Sequence, residues 1–398
     1  MSGREGSSYP PFNQEHLTTM NPIPEVQSAG GTPANERMQS LDVLRGFDMF
    51  WISGGAGLFI ALAKATGWVW AVSFSKQLEH VEWAGFHFYD LIFPLFLFIS
   101  GVTLPMSVRR RVARGENRWG IFLRLLLRAL LLVILGILYN SRQVTFDIHN
   151  IRFTSVLGRI GMAGLGAGVI VMFARPRAQV AWVIGLLVLY WALLTFVPYP
   201  GEVGTSYEQG KNIVDYLDQH LMPGRLGSGN HDAIGWSSTP PAVATALLGA
   251  LAGAWLLSAC SPGRKVLGLL GVGLVLLALG WLWGLQFPII KHLWTSSYVL
   301  FAGGWSCLLL AFAYGVVDGL RWRRWGFLFL LIGVNPLVLY VLRGTGLIDF
   351  PHIGKFMFGF AFNHASPAVA PICQELATLA VEFAFLYWLY RRKIFLRV

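Results

Sequence analysis

Charged residues are scarce in this sequence. Only 13% of its 398 residues are Asp, Glu, Lys or Arg, whereas 55% are hydrophobic. Soluble domains carry about a quarter charged residues, so this composition excludes an ordinary soluble protein and favours membrane helices. The net charge of +11 does not indicate nucleic-acid binding, because the basic residues stand in short clusters between apolar runs. We therefore expect membrane lipids around the chain and no nucleic-acid partner.

Cysteine and the familiar catalytic motifs are also rare or absent. The three cysteines are dispersed without CxxC or Cys/His spacing, so we predict small core residues and no metal site. The sequence has no Walker A loop, GxGxxG, HExxH or GxSxG, which excludes nucleotide hydrolysis by a known motif. Residues 1–37 are polar, rich in Pro, Gly and Ser, and lack a signal-peptide core. We predict a disordered cytoplasmic tail over 1–37 and a membrane domain over 38–398.

Long apolar runs dominate the rest of the chain. Each is close to the length that crosses a hydrocarbon core of ~30 Å, which predicts an all-α, polytopic helical bundle of about ten spans. The predicted spans are 41–63, 90–108, 119–140, 155–174, 178–197, 240–258, 266–287, 295–317, 325–342 and 369–390. The stretch 353–363 is too short to cross, so we interpret it as re-entrant or interfacial.

Arginine clusters follow every second predicted span. They lie at Arg109 to Arg111, Arg175 and Arg177, Arg264, Arg321 to Arg324, and Arg391 and Arg392. The positive-inside rule places all of these on the cytoplasmic side, and with them both termini. The opposite face then carries most of the loop histidines and aspartates.

The segment 79–102 changes from polar to almost continuously apolar. As one helix, it would place His80, Trp83, His87 and Asp90 on a single face. Ionisable groups at the mouth of a membrane helix are costly, which favours a functional site over packing. An imidazole can exchange a proton near neutral pH or attack an acyl group. In a regular helix Asp90 lies too far along to touch His80, so it would bind substrate or orient another group.

One arginine lies just before the predicted fourth span and a second lies inside it. Arg152 and Arg159 are seven residues apart, and we expect both on one helix face. Arginine suits bidentate binding of a carboxylate or phosphate, which indicates substrate binding. The alternative is a buried ion pair with Asp147 or Asp90.

Further candidate substrate-binding residues lie in the later loops. His231 and Asp232 stand just before the sixth span, although such loop pairs are common. Lys291 belongs to a run whose Trp and Tyr are also typical of an interfacial aromatic belt. Asn335 precedes Pro336 inside the ninth span, which predicts a kink beside a cavity.

Several motifs recur in a fixed order along the chain. They are RMQSLDVLRG at 37–46, HxxWxG at 80–85, DLIFPxFxFIxG at 90–101, R…VLxRI at 152–160, STPxxA from 238, KxLWTSSY at 291–298 and GVNP at 333–336. In these motifs the sequence resembles the heparan-α-glucosaminide N-acetyltransferase family, including bacterial multi-pass relatives that acetylate glucosamine. The family has Asn where this chain has Ser53, and Gln where it has Gly158.

The resemblance implies transfer of an acetyl group from cytosolic acetyl-CoA, across a bacterial inner membrane, to the amine of an outward-facing amino sugar. It implies that His80 is the essential histidine, accompanied by Trp83 and Asp90. We expect acetyl-CoA as donor substrate and no metal. The residues predicted to bind the donor are Arg109, Arg110, Arg124, Arg128 and Ser53. Those predicted to bind the acceptor are Trp83, His87, Arg152, Arg159, His231, Asp232, Lys291 and Asn335.

Several alternatives remain open from the sequence. His80 acts either as general base or as a transient acetyl carrier. A sugar transporter would explain the Gly-rich spans and the kink at Pro336. An O-acetyltransferase of a glycan keeps the enzyme but changes the acceptor atom. The acceptor is a free sugar or a glycan, and the oligomeric state is open, a homodimer included.

Overall fold

Helices occupy most of the predicted apolar runs. The computed structural model describes residues 38–140 and 149–396, so the predicted tail and Asp147 lie outside the described residues. The helices are α1 (Gln39–Phe50), α2 (Ala56–Thr66), α3 (Val69–Gln77), α4 (Ile92–Ala113), α5 (Arg118–Asn140), α6 (Val156–Phe173), α7 (Pro176–Phe196), α8 (Ile213–Leu221), α9 (Thr239–Leu256), α10 (Pro262–Gly284), α11 (Ser296–Ala313), α12 (Phe327–Gly333), α13 (Pro336–Thr345), α14 (Phe350–Asn363) and α15 (Ala370–Arg391). These described residues form one compact unit.

Short irregular helical turns adjoin several of these helices. Two are π-helical, Trp51–Gly55 and Tyr314–Gly319, and two are 3₁₀ turns, Phe88–Leu91 and Trp236–Ser238. Within the described residues, β pairing is limited to isolated bridges from Ala84 to Ile290 and from Arg152 to Gly224. The predicted all-α class is therefore confirmed.

Among the described residues, nine continuous helical segments are long and apolar enough to cross a membrane. One further pair of helices, which is bent, would make a tenth span. The bent pair is α12 and α13, which meet at 69° around Asn335 and Pro336. Proline lacks the amide hydrogen that would continue α12, so the chain starts a new helix there. The predicted kink is confirmed, and the chain is a multi-pass helical membrane protein.

α4 and α9 form the centre of the bundle. About two thirds of each span is buried, compared with 17% for α10 and 22% for α5, whose apolar surfaces are suited to lipid. α4 begins just after Asp90, which contacts His80, and carries Arg109 to Arg111 near its other end. Its 22 residues separate these two ends by about 33 Å. We call them the His80 end and the arginine end.

α14 covers the stretch that the sequence marks as too short to cross. It has 14 residues and lies along α15. Asp349 caps its first turn by accepting a hydrogen bond from the His352 amide at 3.0 Å. Its length agrees with the prediction that this stretch is too short to cross the membrane. Its re-entrant or interfacial placement stays a prediction.

Candidate functional site

The segment that carries His80 is a folded loop rather than a helix. α3 ends at Gln77, and the chain remains irregular until the 3₁₀ turn at Phe88. Gly85 has a positive φ of +123°, and its amide donates to the Ile289 carbonyl at 2.9 Å. This pairing holds the segment against the loop before α11. The prediction of one helical face through His80, Trp83, His87 and Asp90 is therefore wrong.

His80 and Asp90 are in direct contact. The Nδ1 of His80 lies 2.8 Å from Oδ1 of Asp90, while the amides of Val81 and His87 donate to Oδ2 at 3.3 and 3.1 Å. The Tyr298 hydroxyl donates to the Asp90 backbone carbonyl at 2.8 Å and fixes its position. We expected Asp90 too far away to touch His80. The loop corrects this, because it folds back where a helix would have separated them.

Lys291 completes the cluster from the opposite loop. Its Nζ lies 3.1 Å from Asp90 Oδ1 and 2.9 and 3.4 Å from the Nδ1 and Nε2 of His80. Burial lowers the pKa of Lys291 below its ordinary value, although the Asp90 carboxylate acts in the opposite direction. The two loops therefore bring an imidazole, a carboxylate and an amine together from positions about 200 residues apart.

A cavity of about 350 Å³ opens at this cluster and runs into the bundle. Polar side chains stand at its mouth, where His80 is half exposed and Lys291 and His292 are beside it. The deeper walls are mainly apolar and aromatic, with Met49, Ile52, Phe93, Phe96, Ile160, Leu337 and Tyr340 among them. A reaction at His80 would thus take place at the boundary between water and an apolar channel.

His292 is a member of the site that the sequence did not single out. Its ring stacks on Trp83 at 5.4 Å and lies 5.9 Å from the ring of His231. Burial, together with the neighbouring His231, Lys291 and His80, lowers the pKa of His292 to about 4. The imidazole is therefore neutral at physiological pH. Its position next to Lys291 in the sequence was the available signal.

The loop between α8 and α9 is held by an ion pair and by a buried histidine–carboxylate contact. Arg152 donates from Nε and Nη2 to Asp232 at 2.9 and 2.7 Å, and His231 Nδ1 lies 2.6 Å from Asp215. Burial acts to raise the pKa of Asp232, but the hydrogen bond from Arg152 acts in the opposite direction, and the pKa lies below its ordinary value. We predicted that Arg152 shares a helix face with Arg159, and this is wrong because α6 begins only at Val156.

Arg159 is fully buried beneath the same loop. Its guanidinium donates to the Gly235 carbonyl at 2.7 Å and to Ser238 Oγ at 2.5 Å, and lies 5.0 Å from the Trp294 ring. The loop residues Ala233 and Ile234 line the cavity. In this structure Arg159 therefore shapes the cavity wall through the loop. Its predicted contact with substrate stays a prediction.

Other predicted binding residues have protein partners. The Trp83 indole donates to the Tyr207 carbonyl at 2.8 Å, and His87 Nδ1 lies 3.0 Å from the Glu79 carbonyl. The Asn335 amide is bonded to the backbone of Ile394 and Leu396 near the C-terminus, so the structure does not bring it to the His80 cluster.

The residues predicted to bind the donor lie away from His80. Arg109 and Arg110 are exposed at the arginine end, and Arg124 contacts Glu116 at 3.5 Å. Arg128 lines a small cavity of about 10 Å³, and its buried Nε has no hydrogen-bond partner in the described part of the chain. Ile160 lines both this small cavity and the large one.

Ser53 is buried in the π-helical turn, where its hydroxyl donates to the Phe50 carbonyl at 3.4 Å. Contact of these residues with the donor stays a prediction. Among the described residues, no group of three or more His, Cys, Asp or Glu side chains is arranged to hold a metal ion.

Fold and site together define a class: a multi-pass helical membrane protein with a His–Asp–Lys cluster at the mouth of a cavity in the helical bundle. A family described as "Domain of unknown function (DUF5009)" matches residues 37–158. Over 91% of its length the chain is 25% identical to the Homo sapiens protein named heparan-alpha-glucosaminide N-acetyltransferase. Over 80% of its length it is 23% identical to the Mus musculus protein of that name. The chain spans 60% and 56% of these relatives' lengths. The resemblance indicated by the sequence motifs is confirmed.

Proposed function

We propose that this protein is a membrane-embedded acetyltransferase that moves an acetyl group from acetyl-CoA to the amine of a glucosamine-type sugar. The observation that carries the proposal is the His80 imidazole, held by Asp90 and Lys291 at the mouth of the apolar cavity. The name of the two relatives supports transfer of an acetyl group to the nitrogen of a glucosaminide.

His80 acts as the general base in this proposal. When Nδ1–H donates to Asp90, Nε2 carries the lone pair that can accept a proton from the attacking amine. The Asp90 carboxylate then stabilises the imidazolium that forms. A positioned base of this kind contributes about 10²- to 10⁴-fold to the rate.

The cavity gives the thioester a route to His80. The acyl end of the donor would lie at the His80 end, and its nucleotide would remain toward the arginine end. There Arg109, Arg110 and Arg124 supply positive charge, and Arg128 lies one side chain, Ile160, away from the main cavity. The donor therefore enters from the basic side of the bundle.

The positive-inside rule assigns the arginine end to the cytoplasm. Both termini then face the cytoplasm and the acceptor, a free amino sugar or a glycan, approaches the His80 end from outside. A bacterial inner membrane is the expected location.

The test uses membranes that contain the full-length protein, with labelled acetyl-CoA and glucosamine. We expect the unchanged protein to form acetylated sugar, and we expect His80→Ala to lower the rate of its formation by about 100-fold or more. His220→Ala is the matched control, because His220 is an exposed histidine of α8 whose Nδ1 lies 2.8 Å from the Tyr216 carbonyl of the same helix.

Two outcomes would replace the proposal. Sugar uptake without acetylation would identify a transporter. N-acetylglucosamine has no free amine, so its acetylation at a rate similar to that of glucosamine would identify an O-acetyltransferase.

A further inference from the structure

Lys291 touches both members of the proposed dyad. Its Nζ is within 3.4 Å of both ring nitrogens of His80 and 3.1 Å from Asp90, and its side chain is largely buried. Lys291 also lines the cavity where the thioester would lie. A lysine needed only to balance one carboxylate would not have to contact the imidazole or face the cavity.

The proposed reaction has a second proton transfer that His80 does not perform. The amine lone pair forms a bond to the thioester carbonyl carbon, and the nitrogen loses one proton to His80 Nε2. When the tetrahedral intermediate collapses, the carbon–sulfur bond breaks and its electron pair stays on sulfur. The sulfur then needs a proton to leave as the CoA thiol. A positioned acid at this step lowers the barrier to collapse.

We propose that Lys291 is a second catalytic residue, which gives its Nζ proton to the departing sulfur of the donor and recovers a proton from the His80 imidazolium. The inference rests on the proposed function. Overall, one proton passes from the amine nitrogen to the sulfur through His80 and Lys291, and the amide and the thiol are the products. With a neutral amine as acceptor, no proton is gained or lost by the site.

The surroundings of Lys291 suit this role. Among the described residues, His80 and Asp90 on the 79–91 segment contact Lys291, His292 lies beside it in its own loop, and Tyr89 lines the same cavity. Burial lowers the pKa of Lys291, which brings its acidity closer to that of a thiol. Because only the ammonium form can donate, turnover should fall as pH rises through this lowered pKa.

The test substitutes Lys291→Arg in the full-length protein. Arginine keeps the positive charge beside Asp90 but does not release a proton in proteins. We expect kcat to fall by about 100-fold or more while the KM for acetyl-CoA changes less than about threefold. The residual activity should also lose the alkaline decline with pH. Lys76→Arg, an exposed lysine at the end of α3, is the matched control.

Either of two results with Lys291→Arg would overturn the inference. If Lys291→Arg keeps kcat within about threefold of the unchanged protein, or keeps the same alkaline decline, Lys291 is not the proton donor. Binding of labelled CoA to Lys291→Arg establishes that the variant is folded. Failure of the proposed function is seen separately, because then the unchanged protein itself forms no acetylated glucosamine.

Discussion

Asp90 holds the proposed site together through hydrogen bonds to both of its carboxylate oxygens. One oxygen contacts His80 and Lys291, and the other accepts the amides of Val81 and His87. An Asn side chain in this place would have only one oxygen that accepts hydrogen bonds, because its other terminal group is an NH₂ donor. The His80 ring would then lose either its orientation or the partner that stabilises its protonated form.

Asp90→Asn should therefore lower turnover strongly and leave the fold intact. We expect kcat to fall by about 10²- to 10⁴-fold, with a thermal unfolding temperature close to that of the unchanged protein. Acetylated glucosamine and unfolding in detergent are the two measurements. Glu82→Gln removes an exposed carboxylate from the same loop and should change neither. Normal turnover of Asp90→Asn would remove Asp90 from the catalytic group.

At the scale of elements, the site depends on the close crossing of α4 and α9. A Cβ on Gly101 would lie 2.0 Å from the Ala246 carbonyl oxygen, and one on Gly249 would lie 2.0 Å from that of Phe98. Both contacts are with backbone, so no side-chain rotation relieves them. These glycines therefore set the distance between the two central helices.

Gly101→Ala should consequently destabilise the bundle. Because α4 or α9 has to shift, we expect a loss of about 3 kcal/mol and a lower unfolding temperature in detergent. Gly185→Ala and Gly271→Ala are matched controls, since a Cβ at either position meets nothing within 4 Å. Alanine favours a helix over glycine by about 1 kcal/mol, so these controls should be as stable as the unchanged protein or more so. Equal stability of all three variants would contradict this account of the crossing.

At the scale of the whole molecule, the cavity connects the His80 cluster with the interior of the bundle. Its walls come from α1, the 79–91 segment, α4, α5, α6, the loops before α9 and α11, and α13. No single element defines it. The bend at Pro336 is important here, because Pro336 and Leu337 both line the cavity at the start of α13.

Leu337→Trp should fill part of this cavity and obstruct the donor. We expect the KM for acetyl-CoA to rise by about tenfold or more, with less effect on the KM for glucosamine. Leu328→Trp is the matched control, because Leu328 is 56% exposed on α12. Initial rates at varied donor concentration provide the measurement. An unchanged donor KM in a correctly folded Leu337→Trp variant would place the donor route elsewhere.

The sequence by itself determined the class and the spans of this protein. Apolar runs must be long enough to cross the bilayer and satisfy their own backbone, so their positions could be predicted from the order of apolar residues, and the break before Pro336 from the proline itself. His80 and Asp90 could be proposed as site residues from the sequence, since ionisable residues beside such runs are costly, whereas Lys291 came from the run before the eighth predicted span.

Only the tertiary structure decided how these residues meet. The positive φ at Gly85 and its bond to Ile289 turn a predicted helix into a loop, which brings His80 onto Asp90. Lys291 and His292 arrive from a loop some 200 residues later, and Arg152 pairs with Asp232 rather than sharing a face with Arg159. Periodicity describes contacts within one helix. Contacts between distant loops depend on how the whole bundle packs, and no local pattern encodes that.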